Sequence, residues 1–149
     1  MNHSNSLVPF TSQGQPDISQ VGGKGAALIR LTQLGLEVPP GFIVTVNCFQ
    51  RWCTHLSNSV TWRRLLDTNP NDLDAFTEAC DDLKKSAAGL EFGQPFSDQI
   101  DTACQLLATK TVAVRSSSPE EDLAGTSFAG LYETYLEVPL TGLNNAIRN

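Results

Sequence analysis

Lys24 stands inside the run Val21-Gly22-Gly23-Lys24-Gly25, just ahead of a stretch whose apolar residues recur with helical spacing. Glycines there let the backbone come close to an oxygen-rich ligand, and a lysine brings a point charge. A helix N-terminus adds N–H donors directed at an anion. The run fits neither GxxxxGK[ST] nor a GxGxxG that follows a strand. Its spacing therefore leaves a second reading open, a plain glycine turn with an exposed lysine.

Arg115 is the second candidate. It closes Thr111-Val112-Ala113-Val114-Arg115 and is followed by three serines. A cation within an apolar strand pattern needs a partner, because burying it unpaired costs several kcal/mol. Phosphate oxygens would serve. So would Glu120, Glu121 or Asp122, and composition alone does not choose between a ligand and a structural ion pair.

A third candidate lies in Ser127-Phe128-Ala129-Gly130-Leu131-Tyr132-Glu133-Thr134, where Gly130 interrupts an extended pattern. Glycine within a strand marks a bulge or the close approach of another group. A nucleotide over the strand would account for Gly130, with the Thr134 hydroxyl on the same face as a donor. The other reading is a simple bulge with a core-facing threonine.

The remaining polar residues suggest less. His3 and His55 have no evident orienting partner, and Asp72, Asp74, Asp81 and Asp82 read as a solvated helix face. Cys48, Cys53, Cys80 and Cys104 form no CxxC pair and read as buried thiols rather than zinc ligands. No metal-binding spacing is present. A net charge of −6 argues against loose binding to nucleic acid or anionic lipid, so an anionic ligand would have to be held by a few placed cations and N–H groups.

The elements that position these residues follow from periodicity. Ala27, Leu28, Leu31 and Leu34 share one helical face, and Gly35 ends that helix in the left-handed region. Two prolines and a β-branched run make Val38–Val46 a turn and a buried strand. Asn47 is expected to cap a helix through Leu56, and a short helix surrounds Trp62. Asp72 or Asn71 opens a longer helix with Leu73, Phe76, Cys80, Leu83 and Ala87 inward, and Ser97 caps another carrying Ile100, Cys104 and Leu107.

From Thr111 onward the pattern alternates with period two, giving a β-ribbon of Thr111–Arg115 and Thr126–Val138 with Tyr132, Thr134, Leu136 and Val138 on one face. The serine-rich connector after Arg115 is expected to be an acidic, mobile loop. Thr141 resembles the cap of a last helix that reaches Asn149 without Gly or Pro to stop it, so the natural sequence is expected to continue; a frayed natural terminus is the other reading. With 149 residues at 40% apolar content, no apolar run near the roughly 18 residues of a membrane span, and no targeting pattern at the start, the expectation is a soluble cytoplasmic protein. Residues 1–20 are expected to be a mobile segment and 21–149 the folded part.

In order and spacing, Val21-Gly22-Gly23-Lys24-Gly25-Ala26-Ala27-Leu28, Val38-Pro39-Pro40-Gly41-Phe42, Val112-Ala113-Val114-Arg115-Ser116-Ser117-Ser118 with Glu121-Asp122, and Ser127-Phe128-Ala129-Gly130 through Leu136 closely resemble one family. It is the family of phosphoenolpyruvate synthases, pyruvate phosphate dikinases and rifampicin phosphotransferases. Ser118-Pro119 departs from its usual alanine-rich turn, and Leu131 stands where glutamine is common. The resemblance runs from about Val21 to Val138, with the helical middle contributing little.

The resemblance implies an α/β (α+β) fold: the amino-terminal subdomain of an ATP-grasp domain, with a small, mainly antiparallel sheet and a helical layer. By similarity, Lys24 and Arg115 contact the ATP phosphates and support transfer, while Gly130 and Thr134 line the nucleotide site. It further implies magnesium held by carboxylates outside this chain, and three absent partners: the second ATP-grasp half, a phosphohistidine domain and an acceptor domain. Phosphate would pass from ATP through the histidine to pyruvate. Rifampicin or a glucan is the alternative acceptor. A non-catalytic module binding a nucleotide or a protein is the reading from another class.

Overall fold

The computed structural model describes residues 6–117 and 133–148. It mixes helix and strand and separates into two units. One comprises the chain up to Cys48 together with Gly93–Ile147, and the other is built on Phe49–Phe92.

In the first unit, β1 (Leu7–Pro9) pairs antiparallel with β2 (Phe42–Val44), with Leu7 opposite Val44 and Val8 opposite Ile43. Residues directly opposite in such a pair point to the same face. Val8 and Ile43 accordingly pack with Val21, Ala26 and Ile29 of α1 (Ile18–Gln33). Leu7 and Phe42 on the other face join Ile100, Cys104 and Leu143, from α5 (Gln94–Leu106) and α6 (Leu143–Arg148). The ribbon is therefore buried on both sides. Ile29 and Ile100, each 1% exposed, are its anchors in the two clusters. Each contributes about 1.5–3 kcal/mol by leaving water.

The ordered part of the chain thus reaches into the polar start: β1 lies within residues 1–20, which composition alone assigns to a mobile segment. Three donors converge on the Ser6 carbonyl, namely the Thr45 N–H, the Thr45 hydroxyl and the Cys48 thiol. They fasten the beginning of β1 where α2 (Val46–Ser57) starts.

The second ribbon carries the site. β3 (Thr111–Arg115) pairs antiparallel with β4 (Thr134–Pro139), with Val112 opposite Val138, Val114 opposite Tyr135 and Arg115 opposite Thr134. Val112 and Val114 pack into the second cluster, and Thr111, Ala113 and Arg115 stay exposed. Two residues of β4, Leu136 and Glu137, face Ala113 alone, and Glu137 sits at φ 55°. This bulge corrects the expected alternation, because the extra residue shifts the faces. Leu136 is 71% exposed, whereas Val138 is half-buried.

The second unit holds the later part of α2, α3 (Val60–Asp67) and α4 (Leu73–Ala88). Trp52 stacks on Phe92 at 4.4 Å between ring centroids, and Phe49 meets both rings edge-on. Arg64 of α3 pairs with Glu78 and Asp82 of α4, contacts that are exposed and worth at most about 1 kcal/mol each. Ala79, fully buried, is the inward residue of α4, while Leu73, expected inward, is 73% exposed at the first turn.

Asp72 caps α4 as expected, its carboxylate accepting from the Ala75 N–H at 3.2 Å. Asp72→Ala is expected to cost about 1 kcal/mol. A thermal melt with a correspondingly lower Tm checks this, and an unchanged Tm removes the cap from the stability account.

Three other expectations are corrected. The helix α5 begins at Gln94, ahead of Ser97, because Pro95 with its fixed φ is well placed in a first turn even though Gly93 offers no side-chain cap. Leu140–Gly142 form a 3₁₀ turn, so the last helix starts at Leu143 rather than from a Thr141 cap. Of the four thiols only Cys104 is buried; Cys48 and Cys80 are half-buried and Cys53 is exposed on α2. Burial pushes the Cys48 and Cys104 thiols above their usual pKa, with Asp101 adding to the effect at Cys104. No described helix is long and apolar enough to cross a membrane.

Candidate functional site

The glycine run does not simply precede a helix. It interrupts one. Asp17 caps the first turn of α1 through the Ser19 N–H at 3.0 Å, and Gly22 then takes φ 69° and ψ 170°, which is not helical. The helix resumes immediately afterwards and runs to Gln33, and Gly35 follows at φ 75°, the left-handed residue expected after the helix.

A regular α-helix would bond the Gly25 N–H to the Val21 carbonyl. At this break the Ser117 hydroxyl stands between them, accepting from the Gly25 N–H at 3.1 Å and donating to the Val21 oxygen at 3.0 Å. Gly22 is where the two segments touch: a Cβ there would overlap Ser117 Oγ and lie 2.5 Å from its carbonyl oxygen. Gly25 has a packing reason as well, since a Cβ would come within 3.0 Å of the Ile43 side chain. The N–H of Gly25 is thus engaged by the protein rather than left among the helix-start donors that the sequence directs at an anion.

Lys24 lies between these two glycines. It is half-buried, and its Nζ reaches the carbonyl of Ser116 at 3.4 Å, the residue directly after Arg115. The Arg115 side chain is on the exposed face of the ribbon, and Thr134 is its cross-strand partner there, also exposed. Three of the four candidates are therefore gathered at one end of the β3–β4 ribbon. The fourth, Gly130, and the acidic residues Glu120, Glu121 and Asp122 lie outside the described residues.

Among the described residues no carboxylate pairs with Arg115. Glu133, next to Thr134 in the chain, instead accepts a hydrogen bond from the Tyr135 hydroxyl at 2.5 Å, and that bond holds the phenol above its usual pKa. Ser116 is tied to the same place through its N–H and hydroxyl, both directed at the Glu133 carbonyl. Chemically this end of the ribbon offers an ammonium, a guanidinium and a hydroxyl, the donor set of a phosphate or polyphosphate site.

Ser117 was not legible as part of this arrangement. Its only signal in the sequence is the serine run after a strand, which reads equally as a turn. A shallow depression of about 450 Å³, lined by Gln13, Gly14, Gln15, Pro16, Arg30 and Gln33, lies toward the other end of α1. It includes none of the gathered residues. Among the described residues no three His, Cys, Asp or Glu side chains come together as a metal site.

The sequence model of the family described as pyruvate phosphate dikinase, AMP/ATP-binding domain, matches residues 18–148, from the first turn of α1 to the end of α6. The chain belongs to this family. A probable phosphoenolpyruvate synthase of Methanothermobacter thermautotrophicus is 32% identical over 136 residues, covering 87% of this chain and 20% of that protein. Phosphoenolpyruvate synthase of Escherichia coli is 33% identical over 153 residues, covering 92% of this chain and 19% of its own length. A rifampicin phosphotransferase of Streptomyces sviceus is 32% identical over 127 residues, covering 83% and 15%.

The chain thus spans about a fifth or less of the length of these relatives. The match of the AMP/ATP-binding family takes in Lys24, Ser117 and Arg115 alike, and extends into both units described above while leaving β1 outside it.

Proposed function

We propose that this chain is the first part of an ATP-grasp nucleotide-binding domain, and that Lys24 and Arg115 bind the phosphates of ATP. The observation that carries the reading is the reach of Lys24 to the carbonyl that follows Arg115, across 92 residues of sequence. Two cations brought to one ribbon end, beside the Thr134 hydroxyl, suit a polyanion. Thr134 donates its hydroxyl to the nucleotide from the opposite strand, and Gly130 lets the ligand approach the backbone.

Phosphoryl transfer depends on positioning and charge neutralisation more than on covalent help from the protein. Lys24 contributes a point charge whose stem is partly withdrawn from water, and Arg115 a planar fork that can hold two phosphate oxygens at once. Magnesium, which ATP chemistry calls for, finds no ligand cluster among the described residues. Its ligands belong, in this proposal, to the second half of the ATP-grasp domain, and no step here depends on them.

The acceptor proposed is pyruvate, reached through a phosphohistidine on another domain of a cytoplasmic protein. What supports it is the recurrence of phosphoenolpyruvate synthase among the names of the relatives. The rifampicin phosphotransferase relative supports an antibiotic as the alternative acceptor.

Titration calorimetry of the complete gene product with magnesium-ATP tests the site. Lys24→Ala is expected to weaken binding about 10- to 100-fold, the loss of one charge-assisted contact of roughly 1.5–3 kcal/mol. Unchanged affinity would refute a phosphate role for Lys24.

A further inference from the structure

We infer that Ser117 is a positioning residue for the nucleotide site: its hydroxyl, inserted into the broken ladder of α1, fixes where Lys24 stands relative to Arg115. The inference rests on the phosphate-binding reading of Lys24 and adds to it a residue that touches no ligand.

The geometry is specific to a hydroxyl. Ser117 Oγ accepts from the Gly25 N–H and donates to the Val21 carbonyl, the two groups that a continuous helix would join to each other. A group that both donates and accepts can stand in for that bond, and among small side chains only a hydroxyl does so with full strength. Val21 and Gly25 are both buried, so water is poorly placed to take over. Side chains inserted into a helix ladder are a recognised cause of kinks. Here the insertion also joins two elements of the site, because Ser117 is two residues beyond Arg115 and Lys24 lies between the bridged residues.

The backbone at Gly22 fits the same role. Its positive φ opens the ladder, and the absence of a Cβ lets the Ser117 main chain come close enough for the hydroxyl to enter. Lys24, one residue before Gly25, is then held with its ammonium at the Ser116 carbonyl. Without the hydroxyl, the Gly25 N–H and Val21 carbonyl are free to approach each other. Closing the ladder would turn Lys24 about the helix axis, away from the ribbon end.

A double-mutant cycle separates positioning from a general structural effect. Magnesium-ATP affinity is measured by calorimetry on the complete gene product for the wild type, Ser117→Ala, Lys24→Ala and the double variant. Ser117→Ala alone is expected to weaken binding about tenfold. In the Lys24→Ala background the same change should alter affinity less than about twofold, because the group it positions is gone.

An undiminished penalty in that background would overturn the inference while leaving the phosphate role of Lys24 intact. Unchanged affinity in Ser117→Ala would do the same. If Lys24→Ala itself left affinity unchanged, the site reading would fail and this inference with it. Should Ser117→Ala not fold, Ser117→Cys keeps the side-chain shape with a somewhat larger sulfur that is a weaker donor and acceptor. It is expected to give a smaller loss that also vanishes in the Lys24→Ala background, and persistence of that loss overturns the inference.

Discussion

Arg115→Ala in the complete gene product is expected to lower phosphate-transfer turnover by about 10²–10³-fold, the size of effect seen when one preorganised group facing developing charge is removed. The expectation follows from where the structure puts the side chain. Arg115 is the last residue of β3, on the exposed face, and its backbone is held by pairing with Thr134. The core beneath the strand is made by Val112 and Val114, so removing the guanidinium leaves the packing of the ribbon in place. Loss of activity should therefore come without loss of fold. Steady-state kinetics alongside a thermal melt makes the comparison. Turnover that stays within a fewfold of wild type would take Arg115 out of the mechanism, and a collapsed melt would assign it to structure.

The second large effect is expected at Gly22. Gly22→Ala places a Cβ on a residue at φ 69° and ψ 170°, a region essentially confined to glycine that costs roughly 1–3 kcal/mol for any other residue, and drives it into Ser117. The overlap is with a main-chain carbonyl as well as the hydroxyl, so no rotamer change relieves it. We expect a total near 2–4 kcal/mol, and a Tm lower by roughly 5–15 °C. A Tm equal to that of the wild type would mean that the break in α1 is not under the constraint described. Gly14 and Gly35 make a useful contrast, since each has positive φ but open space around it.

Much of the architecture was legible because it is written in local patterns. The period-two run Thr111–Arg115 gave β3 with its observed bounds, and Asp72, one of the two residues expected to open α4, is its N-cap. Lys24, Arg115 and Thr134 were singled out by residue type, and the structure brings them to one ribbon end. What local patterns do not carry was missed. The bulge at Glu137 uses a left-handed backbone without glycine, so nothing marked it. The strand β1 is too short to show a period, and its pairing partner β2 lies some 35 residues away in sequence. Ser97 is a better cap by residue type than Gly93, yet Pro95 decided where α5 begins.

Ser117 is the clearest case. A serine after a strand is unremarkable until its partners, 92 and 96 residues earlier, are known. That separation bears on how the chain acquires its shape. Loop closure over such a span carries an entropic cost that local hydrogen bonds do not, and contacts of high sequence separation slow folding. The opening turn of α1 is consequently not an autonomous piece of secondary structure: its missing rung is supplied by a residue just past β3, and it becomes whole only when β3 arrives.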